Sequence, residues 1–161
     1  MGCDIHMRIE RKEEGKWTYF PCFYTFRDAS DKFECIRVRR DYALFSLLAN
    51  VRTHRCFYPG CISQPRGWPE DADTLTLSKS IYGDGVDYLS FKDMCEHSQS
   101  WLLLAEILDY IDTSPEKWGR KTRLRLERIA QIEEIDFDWL EPIKKIDEDS
   151  KNIRLIFGFD S

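Results

Sequence analysis

The sequence has no apolar run approaching the roughly 20 residues needed to cross a bilayer, so no membrane helix is expected. It does not open with a basic-then-apolar leader. After Gly2, position six is His6, where myristoylation requires Ser or Thr. A cytosolic location with reduced thiols is the expectation. Basic residues are not in excess: Lys and Arg number 24 against 29 Asp and Glu, for a net charge of −5. That argues against coating a nucleic-acid polymer, which needs a basic surface to displace counterions. A small anion needs only a local arginine cluster, and Arg37, Arg39 and Arg40 form one. The six cysteines include no Cys-x2-Cys pair, the spacing that marks a zinc knuckle most clearly. Internal repeats and low-complexity tracts are also missing.

The composition is that of a globular domain. Of 161 residues, 42% are hydrophobic and 14% aromatic, enough for one domain spanning 1–161 with a substantial core. Residues 3–11 alternate. Cys3, Ile5, Met7 and Ile9 share one strand face and Asp4, His6 and Arg8 the other. A turn at Glu13–Lys16 returns the chain as a second strand, Trp17–Phe20. Cys35–Arg39 reads as a short strand. Asp41 is an N-cap for a helix through Arg52. Residues 53–72 form a long loop, and loops of that length are often functional. Thr74–Ser80 fits a helix or a strand. Ser98 or Ser100 is expected to cap a helix carrying Trp101, Leu104, Ala105, Leu108 and Ile111 at helical spacing. Ser114-Pro115 opens a further segment, 117–134 reads as helical, and Pro142 starts a short helix. The chain closes on a strand with Ile153, Leu155, Phe157 and Phe159 on one face and Arg154, Ile156 and Asp160 on the other. Strands at both ends with helices between them predict an α+β or α/β fold. Its mixed sheet contains both terminal strands, packed with three to four helices.

Several blocks in fixed order carry a resemblance. They are Met1 to His6; Arg40-x-Tyr42-x-Leu44-Phe45-x-x-Leu48-Ala49-x-Val51-Arg52; Pro65-Arg66-Gly67-Trp68-Pro69-Glu70-Asp71; His97-Ser98-x-Ser100-Trp101-Leu102; and Arg154 to Asp160. In these the chain resembles a family of small, uncharacterised phage and prophage proteins beginning Met-Gly-Cys-Asp-Ile-His. The resemblance implies a viral or prophage setting, hence the host cytoplasm, and supplies no activity. The Cys-rich stretch 54–61 is not part of the resemblance.

Within these blocks, Asp4, His6, His97 and Asp160 offer carboxylate and imidazole ligands suited to Zn, Mn or Fe. Such a metal would activate water against a phosphate ester. On that reading Asp4, His6 and His97 are catalytic. The bland alternative is structural hydrogen bonding at a sheet edge. Gly83-Asp84-Gly85-Val86-Asp87 together with Asp4-Ile5-His6 looks like two motifs of calcineurin-like metallophosphoesterases. No later Asn-His motif follows, so an ordinary turn is the better reading. His54, Cys56 and Cys61, with Cys95, Cys22 or Cys35 as a fourth ligand, form a weak zinc set, and free buried thiols are the commoner outcome. Arg40, Arg52 and Arg66, with Ser98, Ser100 and the helix N-terminus after them, are candidate phosphate contacts. Trp68 or Trp101 would stack a base.

The expected function is therefore a phage-type cytosolic protein that binds a small nucleotide-like anion and sequesters a host defence signal. Two alternatives stand beside it: a metal-dependent phosphoesterase that cleaves such a signal, and an inhibitor acting on a host protein. Homo-oligomerisation remains open, and neither a nucleic-acid polymer nor a membrane is an expected partner.

Overall fold

The computed structural model describes residues 2–22, 24–25, 32–33, 36–52, 61–80, 89–117 and 137–161. The expectations for Cys35, His54, Cys56, the 83–87 turn and the 118–134 helix lie outside the described residues.

Four antiparallel strands form the central sheet, in the order β2 (Lys16–Phe20), β1 (Ile5–Glu13), β6 (Ile153–Phe159), β5 (His97–Leu103). The fold is α+β, and the terminal strands are neighbours, as the sequence predicts. The four strands all run antiparallel, so the sheet is not mixed. β3 (Tyr24–Thr25) and β4 (Lys32–Phe33) make a separate two-stranded ladder. Five α-helices are described: α1 (Tyr42–Ala49), α2 (Thr74–Ser78), α3 (Phe91–Met94), α4 (Leu104–Lys117) and α5 (Glu141–Lys144).

Local chemistry sets the joints between these elements. Glu14 and Gly15 both take positive φ, 49° and 79°, which closes β1 onto β2 with the twist a two-residue hairpin needs. The Asp41 carboxylate accepts from Leu44 N and starts α1. Asn50, left-handed at φ 58°, ends it two residues before Arg52. α5 begins with Pro142 in its first turn, where a missing N–H costs nothing.

Two positions differ from the sequence reading. His97–Leu103 is a strand, and α4 starts only at Leu104. The Trp101–Ile111 spacing is helical, but the open edge of β6 supplies a ladder that this segment fills, and tertiary pairing overrides the local pattern. α4 then continues unbroken through Pro115 to Lys117 rather than yielding to a new segment.

Alternation sorts the sheet into two faces. Ile5, Met7, Ile9, Leu102, Leu155, Phe157 and Phe159 face α1, α4 and α5 and pack with Leu44, Phe45, Leu48, Ile107, Leu140 and Ile143. Each such buried side chain contributes roughly 1.5–3 kcal/mol. The opposite face is covered too. There Ile156 packs with Phe91 and Cys95, and Trp68, Leu77 and Trp101 close over them.

Candidate functional site

β1 begins where β6 finishes, and their antiparallel register pairs His6 with Gly158 and Ile5 with Phe159. Asp4 and Asp160 therefore meet at one end of the sheet. Asp160 N donates to Asp4 O at 3.1 Å, and Asp4 N donates to Asp160 Oδ1 at 2.9 Å. The second carboxylate oxygen, Oδ2, lies 2.9 Å from His6 Nε2. An ionised carboxylate only accepts, so Nε2 carries the proton of this bond. Nδ1 of the same ring has no hydrogen-bond partner among the described residues. The His6 and Asp160 side chains retain 16% and 30% exposure, so the dyad is open to solvent.

Arg40 closes one side of this corner. Its Nε and Nη2 donate to the two Asp4 oxygens at 2.9 and 2.6 Å, and both side chains are half exposed. That bidentate contact, with the guanidinium charge, holds the Asp4 carboxyl below its ordinary range despite some desolvation. Gly2 makes the approach possible, because a Cβ there would lie 2.2 Å from Arg40 Nη1. Arg52 approaches from the other side through Cys3. Burial pushes the Cys3 thiol up, a hydrogen bond from Arg52 pulls it part of the way back, and the Asp160 and Asp4 charges raise it again. Cys3 belongs to the core face, as strand parity predicts. Arg52 has a left-handed backbone, φ 59°, a conformation costing a non-glycine residue about 1–3 kcal/mol, and its guanidinium lies 5.9 Å from the Tyr42 ring centroid.

His97 does not join this corner. It pairs with Phe159, while His6 pairs with Gly158, so the two imidazoles take opposite faces of the sheet. The His97 ring stacks on Phe159 at 6.0 Å, and its Nδ1 lies 3.0 Å from Ser98 Oγ. Among the described residues, no group of three or more His, Cys, Asp or Glu is placed to hold a metal ion.

The other proposed ligand residues lie further along the sheet and are already partnered. Ser98 and Ser100 lie in β5 and cap no helix. Ser98 takes φ 53° where the ladder slips register, and buried Ser100 accepts from Arg66 N at 3.1 Å. Arg66 donates to both Glu106 oxygens at 2.9 and 2.6 Å and lies 4.7 Å from the Trp101 ring centroid. Glu106 in turn accepts from Leu103 N at 2.9 Å, the free donor at the start of α4. The sequence points to an anion held by Arg66 and this helix start, and that anion is the chain's own Glu106. Trp68 is tilted against Phe91 at 5.8 Å and closes the second core.

A buried charge network occupies that same face. Arg154 donates to Glu10 through Nε at 3.0 Å and through Nη2, and to Asp71 at 2.7 Å, with Trp17 and Trp101 on either side at 4.4 and 5.4 Å. Glu10 also accepts from Thr76 Oγ1 and Asp73 N, both at 2.7 Å. Arg8 lies between Tyr19 and Phe91 and donates to Thr76 O and Ser80 O at 2.7 and 2.8 Å. These bonds fasten residues 71–80 to the sheet. Arg8, expected on the polar wall with Asp4 and His6, is 1% exposed. The available signal was Arg8 and Glu10 recurring on one strand face with Arg154 on the partner strand.

Burial raises the thiols of Cys22, Cys61 and Cys95, the last to about 12. No helix among the described residues is long and apolar enough to cross a membrane. No family model, curated protein or solved structure matches the chain.

Proposed function

We propose that the chain binds a small phosphate-bearing, nucleotide-like anion at the end of the sheet formed by Asp4, His6, Arg40, Arg52 and Asp160. The observation that carries this reading is the Asp4–Arg40 pair, half exposed and adjacent to His6, whose Nδ1 is unpartnered. A phosphate presents the same pair of oxygens to Arg40 as Asp4 does. It also brings more charge to a corner that Arg37 reaches electrostatically. Arg66 is held by Glu106 in the same bidentate way, but that pair is less exposed, at 27% and 32% against 49% for both members of the Asp4–Arg40 pair, and it is left out of the ligand set. In the phage setting that the sequence blocks imply, such a protein sequesters a host nucleotide signal.

Isothermal titration calorimetry with a panel of cyclic and ADP-ribose-type nucleotides tests the reading. Saturable binding to at least one of them supports it. Absence of binding across the panel removes it and leaves inhibition of a host protein as the leading alternative. Elemental analysis of the purified protein tests the metal-dependent phosphoesterase, which requires a stoichiometric Zn, Mn or Fe.

A further inference from the structure

We infer that His6 is a general base that hydrolyses a strained cyclic phosphodiester, of the 2′,3′-cyclic ribonucleotide class, in this same seat; the step rests on the anion-binding reading above. The Asp160 carboxylate fixes the orientation of the ring by accepting from Nε2 at 2.9 Å. That leaves the Nδ1 lone pair directed away from its only partner, in a side chain that solvent reaches. A carboxylate behind an imidazole stabilises the imidazolium that forms when the ring takes a proton. Asp160 is held in turn by the Asp4 N–H and by its own backbone bond to Asp4, so the dyad is anchored to the sheet rather than to a loose side chain. Arg40 borders the same corner and supplies positive charge where a phosphorane develops negative charge.

The substrate class follows from a single imidazole standing at this corner among the described residues. In-line displacement at an unstrained diester benefits from a base on one side of phosphorus and an acid on the other. His97, the only other described histidine, faces the opposite side of the sheet. In a 2′,3′-cyclic phosphate, ring strain already loosens the leaving bond, so a base on the side of the attacking water suffices. The water oxygen bonds to phosphorus and its proton passes to His6 Nδ1. The bond from phosphorus to the ribose oxygen on the opposite side breaks, that oxygen takes a proton from solvent water, and His6 releases its proton to solvent. The product is a ribose phosphomonoester with one free hydroxyl, and no electrons are exchanged with any other reagent.

The test incubates the intact chain with 2′,3′-cyclic AMP in EDTA and follows phosphomonoester release by chromatography, with 3′,5′-cyclic AMP as the unstrained comparison. Calorimetry on the same samples measures binding. The expected result is turnover of the 2′,3′ isomer alone. His6→Gln should lower kcat at least about a hundredfold, far more than it weakens binding. Asp160→Asn, which positions His6 without touching substrate, should lower kcat with KM nearly unchanged, and it keeps the test decisive if His6→Gln fails to fold. Binding of 2′,3′-cyclic AMP without turnover overturns the inference and leaves the binding reading standing. Turnover that EDTA abolishes, or that survives in His6→Gln, also overturns the inference. Neither binding nor turnover of any cyclic or ADP-ribose-type nucleotide overturns both.

Discussion

Arg66 grips Glu106 with two parallel hydrogen bonds, 2.9 and 2.6 Å, and the same carboxylate accepts from the N–H of Leu103, the strand residue just ahead of the helix, at 2.9 Å. One side chain thus ties the 61–73 loop, the last strand residue and the helix start together. An arginine beside a helix N-terminus has the chemistry of a phosphate site, and here it is satisfied from within the chain.

Glu106→Ala should therefore cost stability. Losing one cap and one partly exposed ion pair predicts about 1–2 kcal/mol, read by urea denaturation at neutral pH. The sign with pH follows from the direction of the shift. Arg66 holds the Glu106 carboxyl below its ordinary value of 4.5, so its contribution is complete above that value and is lost as pH falls through the lowered one. The gap between wild type and variant should close in acid.

Breaking the buried pair is a larger effect. Glu10 and Arg154 are 0% and 2% exposed, and Glu10→Gln leaves a guanidinium sealed between two tryptophans with only the exposed Asp71 as a carboxylate partner. The expected loss is about 3–5 kcal/mol in denaturant midpoint analysis. Replacing both residues with apolar ones of similar volume should recover only part of it, because the buried charges go together while Thr76 Oγ1 and Asp73 N lose their acceptor.

Cys95 gives a prediction at the alkaline end. Its thiol is pushed by burial from 9.0 to about 12. The unfolded chain ionises that thiol first, so the stability from keeping it neutral is whole below pH 9 and is lost as pH rises from there toward 12. Stability measured across this window should fall more steeply in wild type than in Cys95→Ala.

Gly158 is a packing constraint at the same place. A Cβ on Gly158 would lie 2.4 Å from the Cβ of Cys95, closer than two side chains can sit. Gly158→Ala should cost about 1–3 kcal/mol by thermal or urea unfolding. Cys95→Ala should not relieve it, since the clash is with Cβ, whereas Cys95→Gly should.

Much of the scaffold can be read from residue order. The alternation in 3–11 and in 153–159 predicts both terminal strands and their core faces, and Asp41 predicts the start of α1. The 97–111 stretch is ambiguous on its own, because Trp101 stands at helical spacing from Leu104 and Leu108 while also fitting a strand. What decides it is the free edge of β6, a partner more than fifty residues away in sequence. Arg8, Glu10 and Arg154 mislead for a different reason. Charged residues alternating with apolar ones look like a solvent face, and only the chain folded over them shows that they are paired and buried. At the site, Asp4, His6 and Asp160 come together as their blocks suggest, and Arg40 joins them through Asp4. His97 does not, because strand parity sends it to the other face, and Arg66 is already neutralised.

Calorimetry comparing Arg40→Ala with Arg66→Ala, each confirmed as folded by circular dichroism, weighs the proposed seat most directly. With whichever cyclic or ADP-ribose-type nucleotide the wild-type chain binds, Arg40→Ala should weaken affinity by roughly tenfold or more, the value of a charge-assisted contact. Arg66→Ala should leave affinity within about twofold, because Arg66 serves Glu106. The reverse pattern, with affinity lost in Arg66→Ala and kept in Arg40→Ala, would move the ligand away from the Asp4–His6–Asp160 corner and contradict the proposed site.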